Sequence, residues 1–124
     1  MPQRGLEGRL RKAARGIDER LKADSMQTIC HGDAKEANMM FEAGEALLYD
    51  FQYCGKAPPT KDLAYFLACG SNVPGAVVKQ DLIEYYHEEL SRELKARGDA
   101  PPSLFELKES LDLAICDLGR WMSG

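Results

Sequence analysis

Asn38 and Asp50 bracket two short apolar runs, Met39-Met40-Phe41 and Ala46-Leu47-Leu48-Tyr49, separated by Glu42-Ala43-Gly44-Glu45. Apolar runs of this length around a Gly-containing turn predict a β-hairpin. A strand advances about 3.3 Å per residue, so the chain goes out and comes back to where it began. The expectation is that Asn38 and Asp50 face each other at the hairpin's open end. No other segment restricts the fold as tightly, because most of the rest of the chain reads as helix.

Leu6, Leu10, Ala13, Ile17 and Leu21 lay one apolar stripe along a helix from about Arg4 to Ala23. Thr28-Ile29-Cys30 is short and β-prone, a brief strand leading into a loop at His31. Lys56-Ala57-Pro58-Pro59-Thr60 is expected to be a non-helical loop, since both prolines restrict themselves and Ala57 before them. Asp62 to Ala68 is apolar nearly all round and reads as a short buried helix. Val78, Leu82, Tyr86, Leu90 and Leu94 predict a helix from about Pro74 to Ala96, terminated by Gly98 and Pro101. Ser103 with Glu106 forms a capping box. A final helix follows, with Leu104, Leu107, Leu111, Ala114/Ile115, Leu118 and Trp121/Met122 on its buried face. The expected class is mainly α (α+β): a helix, a small hairpin insert, then three helices. Tyr53, Tyr65, Tyr85 and Tyr86 read as packing residues.

At 124 residues the chain is one domain's worth, and 44% hydrophobic with 29% charged residues is an ordinary globular composition. A net charge of −4 argues against a nucleic-acid footprint. The basic residues Arg4, Arg9, Arg11, Lys12, Arg15, Arg20 and Lys22 crowd the start. Glu7, Asp18, Glu19 and Asp24 lie among them, which favours a solvated helix over an organelle address. Cys30, Cys54, Cys69 and Cys116 are widely separated, with no C-x-x-C pair, and read as reduced thiols rather than a disulfide frame or zinc site. No apolar run approaches the ~20 residues of a membrane span. The expectation is a soluble, cytoplasmic protein without a nucleic-acid or membrane partner.

The chemistry-bearing residues cluster in Cys30-His31-Gly32-Asp33-Ala34-Lys35-Glu36-Ala37-Asn38 and Leu48-Tyr49-Asp50-Phe51-Gln52. Phosphoryl transfer from ATP asks a protein mainly for positioning and charge neutralisation. A carboxylate must orient the acceptor hydroxyl and receive its proton, and hard oxygen ligands must fix magnesium. Asp33 can supply the carboxylate, and Asn38 and Asp50 the ligands. Lys35 can offer a cation to the phosphate. His31, flanked by Gly32, reads as a residue that hydrogen-bonds the loop rather than a proton carrier.

His31-Gly32-Asp33 with Asn38, then Asp50-Phe51-Gln52, then Lys61-Asp62-Leu63-Ala64-Tyr65-Phe66-Leu67 resembles the aminoglycoside phosphotransferase and choline kinase superfamily. Within it, the stretch is most similar to the CHK-kinase-like group, which includes ecdysteroid kinase-like proteins. The resemblance is tight over residues 28 to 70, with the catalytic and metal segment at 28–52. It implies a protein-kinase-like fold, ATP and Mg2+ as cofactors, and phosphorylation of a hydroxyl on a small molecule. Asp33 then corresponds to the catalytic base, Lys35 to a kinase-like lysine, and Asn38 and Asp50 to cofactor-binding metal ligands. Asp62 corresponds to an aspartate that braces the catalytic loop through backbone hydrogen bonds.

Such a kinase also needs an amino-terminal lobe with a phosphate-covering loop and a strand lysine. The 30 residues before His31 hold no Gly-rich loop after a strand. Residues 1–124 are therefore expected to be a single, partial kinase-like C-lobe with the N-lobe absent, partnered by that lobe or another chain. It is expected to be a piece of a longer kinase, or else a short protein that keeps the metal site without turnover. Two other classes stay open: a kinase-derived interaction module, and a non-haem iron oxygenase using His31, Asp33 and His87. Against the latter, His87 lies in a helical stretch.

Overall fold

In the computed structural model, residues 5–70 and 75–123 are described, so Arg4 and Pro74, the expected starts of two helices, lie outside them. The chain divides into two compact units. One comprises Met1–Ser71 with Ser110–Gly124, the other Asn72–Glu109.

In the first unit, α1 (Leu6–Lys22) buries Ile17 and Leu21 and half-buries Leu10 and Ala14. Ala13, expected on that stripe, is exposed. Spacings of four, three and four residues through 10, 14, 17 and 21 track the 3.6-residue turn, and the neighbouring alanine falls on the core side. The polar face carries the pairs Arg15–Glu19 and Lys22–Asp18, so its basic residues are partly neutralised within the helix.

β1 (Thr28–Cys30) pairs antiparallel with β4 (Gly55–Ala57), with Ile29 opposite Lys56. Between them, β2 (Met39–Glu42) and β3 (Glu45–Leu48) form the expected hairpin. Its two-residue turn has positive φ at both Ala43 (52°) and Gly44 (81°), the backbone that matches the twist of the flanking strands. Glu42 therefore pairs with Glu45, and the register carried back to the open end sets Asn38 against Tyr49, whose N–H donates to the Asn38 carbonyl at 3.1 Å. Asp50 thus stands one residue beyond the partner of Asn38, a correction to the expected face-to-face placement.

The Lys56 to Thr60 segment is not the loop expected. Lys56 and Ala57 lie in β4, because the extended backbone that Pro58 imposes on Ala57 is also strand backbone, and β1 supplies its partner. Pro59, with φ of −61°, then suits the entry to α2 (Thr60–Tyr65), which continues as a π-helical turn over Phe66–Gly70. Ala64 and Leu67 are buried, as expected of that stretch.

α4 (Leu104–Ser123) contributes Leu111 and Ala114 to this core. Gly119 lies beside the Leu10 methyl, so α1 and α4 approach closely there. A polar chain ties α2 and α4 to the segment after α1: Thr60 and Ser110 hydroxyls at 2.7 Å, and Ser110 donating to Asp24 at 2.6 Å. The buried face of α4 ends earlier than expected, since Ile115, Trp121 and Met122 are exposed.

In the second unit, α3 (Ala76–Ala96) ends in a Schellman motif. Gly98 N–H donates to Lys95 O, Asp99 N–H donates to Leu94 O, and Gly98 takes φ of 80°. The Ser103–Glu106 capping box forms in both directions, and His87 Nε2 meets the Pro102 carbonyl at 2.9 Å. Among the described residues the architecture is mainly α with two small antiparallel sheets. Among the described residues, no helix is long and apolar enough to cross a membrane.

Candidate functional site

β1 ends at the buried Cys30 and delivers the chain into the loop His31 to Asn38. Two backbone donors at the head of that loop have no strand partner. Asp62, in the first turn of α2, takes both: His31 N–H donates to Oδ2 at 2.6 Å and Gly32 N–H to Oδ1 at 3.0 Å. A carboxylate accepting two backbone donors is a charge-assisted brace that fixes the loop against α2.

His31 is buried and holds the loop from its side chain. Asp33 N–H donates to His31 Nδ1 at 3.1 Å, so Nδ1 is the acceptor nitrogen and Nε2–H donates to Tyr49 O at 2.7 Å. One ring thereby joins the loop to the end of β3. It also packs against Phe51, with ring centroids 4.8 Å apart. Gly32 has φ of +89°, and a Cβ there would collide with the Tyr53 carbonyl oxygen, so only glycine fits the close approach of these two segments.

The Asp33 carboxylate has a partner on each oxygen. Oδ1 accepts the Tyr65 hydroxyl at 2.7 Å, and Oδ2 accepts Asn38 Nδ2 at 3.0 Å, with Lys35 Nζ at 3.8 Å. The Tyr65 hydrogen bond, followed by those of Asn38 and the Lys35 charge, holds the Asp33 carboxyl below the usual carboxylate range against the opposing effect of burial. The same bond, with burial and the Asp33 charge, pushes Tyr65 up to about 12. Burial first, and then the Asp62 charge, push the Cys30 thiol up to about 11, which keeps it protonated and unreactive.

Asn38 ends a short 3-10 turn (Glu36–Asn38) and is buried. Its amide nitrogen is used twice on Asp33, on the backbone carbonyl at 2.9 Å and on the carboxylate. That orients the Asn38 side-chain oxygen as the group left for another partner. Asp50 follows β3 with φ of +62° and is exposed. The left-handed backbone, which Asp adopts more readily than most residues, turns the chain out of the ladder at that point. Asp33, Lys35 and Asn38 are thus in mutual contact. Asp50 is placed at the same end of the hairpin by the Asn38–Tyr49 pairing, and His31 and Asp62 hold the backbone between.

Tyr65 is the residue that helical periodicity misassigns, since its position in α2 reads as packing. A signal was present: Tyr65 lies three residues after Asp62 and so shares its helix face. His87, by contrast, bonds Pro102 and lies 3.4 Å from Ser91 Oγ. Among the described residues, no group of three or more His, Cys, Asp or Glu side chains is placed to hold a metal ion.

Residues 8–98 match the model of the ecdysteroid kinase-like family. The chain is therefore of the kinase-like class and belongs to that family. The match extends past the segment with recognisable motifs to take in most of α1 and α3. No curated protein and no solved structure matches the chain.

Proposed function

We propose that this chain carries the acceptor-orienting and magnesium-binding half of an ATP-dependent small-molecule kinase, a phosphotransferase acting on an alcohol group. On this reading, residues 1–124 form one partial kinase-like C-lobe of the CHK-kinase-like type, within the aminoglycoside phosphotransferase and choline kinase superfamily, working in the cytoplasm. The grip on the nucleotide comes from a lobe or chain outside these 124 residues. The observation that carries the proposal is the Asp33 carboxylate, held by Tyr65, Asn38 and Lys35 on a loop whose head is braced by Asp62.

Asp33 is ionised at any working pH, being held below the usual carboxylate range. A carboxylate of that kind is a weak base, but a loose phosphoryl-transfer transition state asks little of a base. Its part is to accept the hydrogen bond of the acceptor hydroxyl, aim the oxygen, and take the proton late. Lys35 stands close enough to Asp33 to place a cation beside the transferring phosphate. Asn38 and Asp50 fit magnesium by donor type: an oriented amide oxygen and an exposed carboxylate are both hard oxygen ligands. Magnesium sites with phosphate substrates commonly use only one or two protein oxygens. When bound, the ion neutralises phosphate charge. His31 and Asp62 keep the loop and the hairpin end in register.

Mn2+ can stand for magnesium in an electron paramagnetic resonance titration of the chain with ATP. Asp50→Ala and Asn38→Ala are each expected to weaken metal–nucleotide binding by about tenfold or more, whereas Asp33→Asn leaves it in place. Equal Mn2+–ATP binding by Asp50→Ala and the unmodified chain overturns the assignment.

A further inference from the structure

A cleft of about 410 Å³ opens beside the braced loop, within the first unit. It touches the loop through Gly32 and reaches Tyr65, the residue whose hydroxyl rests on Asp33. Its size lies in the range of small-molecule sites, ~300–1,000 Å³.

Two features specify its ligand. The first is aromatic. Tyr53 and Trp121 both line the cleft yet are 65% and 69% exposed, although rings of this size gain much from burial. Leu118 and Ala114 of α4 add apolar surface to the lining. The second is charge. The cleft carries Lys56, Lys61 and Arg120 against Asp62 and Asp117. Asp62 spends both oxygens on backbone donors. Asp117 is paired with Lys61 at 3.5 Å and with Arg120 at 3.1 Å. Among the described residues no carboxylate pairs with Lys56, so the cleft has one cation in excess.

We infer that this cleft binds a ring-bearing small molecule with a single negative charge, the ring lying against Tyr53 and Trp121 and the anion at Lys56. The cleft meets the Asp33 loop at Gly32 and the Asp33 carboxylate only through Tyr65; that the bound molecule is the hydroxyl acceptor rests on the kinase reading above, whereas binding itself does not.

The chain has one tryptophan, Trp121, and it lines the cleft, so its quenching follows probe binding there. The test titrates 1-anilinonaphthalene-8-sulfonate and its uncharged counterpart N-phenyl-1-naphthylamine, without metal or nucleotide, and follows Trp121 quenching. The sulfonate is expected to bind one to one and about tenfold more tightly than the neutral ring. Lys56→Glu removes that preference, Lys56→Arg keeps it, and Phe41→Ser on the exposed hairpin changes neither. Equal affinity for the two probes overturns the inference, as does loss of quenching in Phe41→Ser but not in Lys56→Glu. Because nucleotide is absent, failure here leaves the Mn2+ result standing, and a failed Mn2+ titration leaves cleft binding standing.

Discussion

Tyr65 and Asp33 meet at one hydrogen bond, and each shifts the other's ionisation in a measurable direction. The bond favours a neutral tyrosine and an ionised aspartate, lowering the aspartate and raising the tyrosine. For Tyr65 the linkage runs from its ordinary value of 10.0 to about 12 in the folded chain. Between those values the unfolded tyrosine has lost its proton and the folded one has kept it. The stability this residue adds is therefore fully present below pH 10 and lost as pH rises toward 12. For Asp33 the sign is opposite: its contribution is present above the ordinary value of 3.8 and lost as pH falls through the lowered one. A tyrosinate absorbance titration checks the pair. The five tyrosines are expected to include one that titrates near 12, which disappears in Tyr65→Phe and moves back toward 10 in Asp33→Asn. A late tyrosine that persists in both variants refutes the contact.

At the scale of elements, the helices and the hairpin were legible because each repeats a period: four-residue spacing through Val78 to Leu94, and apolar runs around Gly44. β4 was not legible, since Gly55-Lys56-Ala57 has no strand composition and its partner lies some 27 residues back along the chain. Pairing of that kind is set by tertiary packing, not local pattern. The end of α4 misled for the converse reason: the apolar stripe runs on to Trp121, but the residues at that end flank a cleft instead of a core. Of the candidate site, residue types and order were readable, while the Asn38–Tyr49 register and the Tyr65 hydroxyl required the folded geometry. Two glycines with similar backbone show how context decides cost. Gly44, at φ of 81°, has nothing near its missing Cβ, so Gly44→Ala is expected to cost about 1 kcal/mol for the left-handed backbone alone. Gly32→Ala adds a clash with the Tyr53 backbone to the same penalty and is expected to cost at least ~2 kcal/mol more. Urea unfolding of the two variants measures the difference. Equal midpoints show that the loop and the Tyr53 segment are not held together as described.

For the whole molecule, the decisive feature is the company that the site keeps. The hairpin that ends at Asn38 and Asp50 exposes Met40, Phe41, Leu47 and Tyr49, and Phe51 beside it is also open, with Phe41 70% exposed. Met40, Leu47 and Tyr49 share one face of the ribbon and Phe41 lies on the other, and on the proposed reading this apolar surface is where another protein surface docks. An interaction module and a kinase half therefore make the same demand on this face and differ only in the consequence of contact. Among the described residues no strand leads into a Gly-rich loop, and on the proposed reading the grip on the α- and β-phosphates comes from another lobe or chain. The purified chain with Mg-ATP and a mixed pool of small alcohols is accordingly expected to transfer little or no phosphate, even though metal–nucleotide contacts at Asn38 and Asp50 persist. Sedimentation with and without Mg-ATP then separates the two readings. A kinase half changes its association when nucleotide is added, and Asp50→Ala abolishes the change. A pure interaction module associates equally under both conditions and in Asp50→Ala. Robust turnover by the 124-residue chain that vanishes in Asp50→Ala refutes the half-site account outright, because it places a complete phosphate grip within these residues.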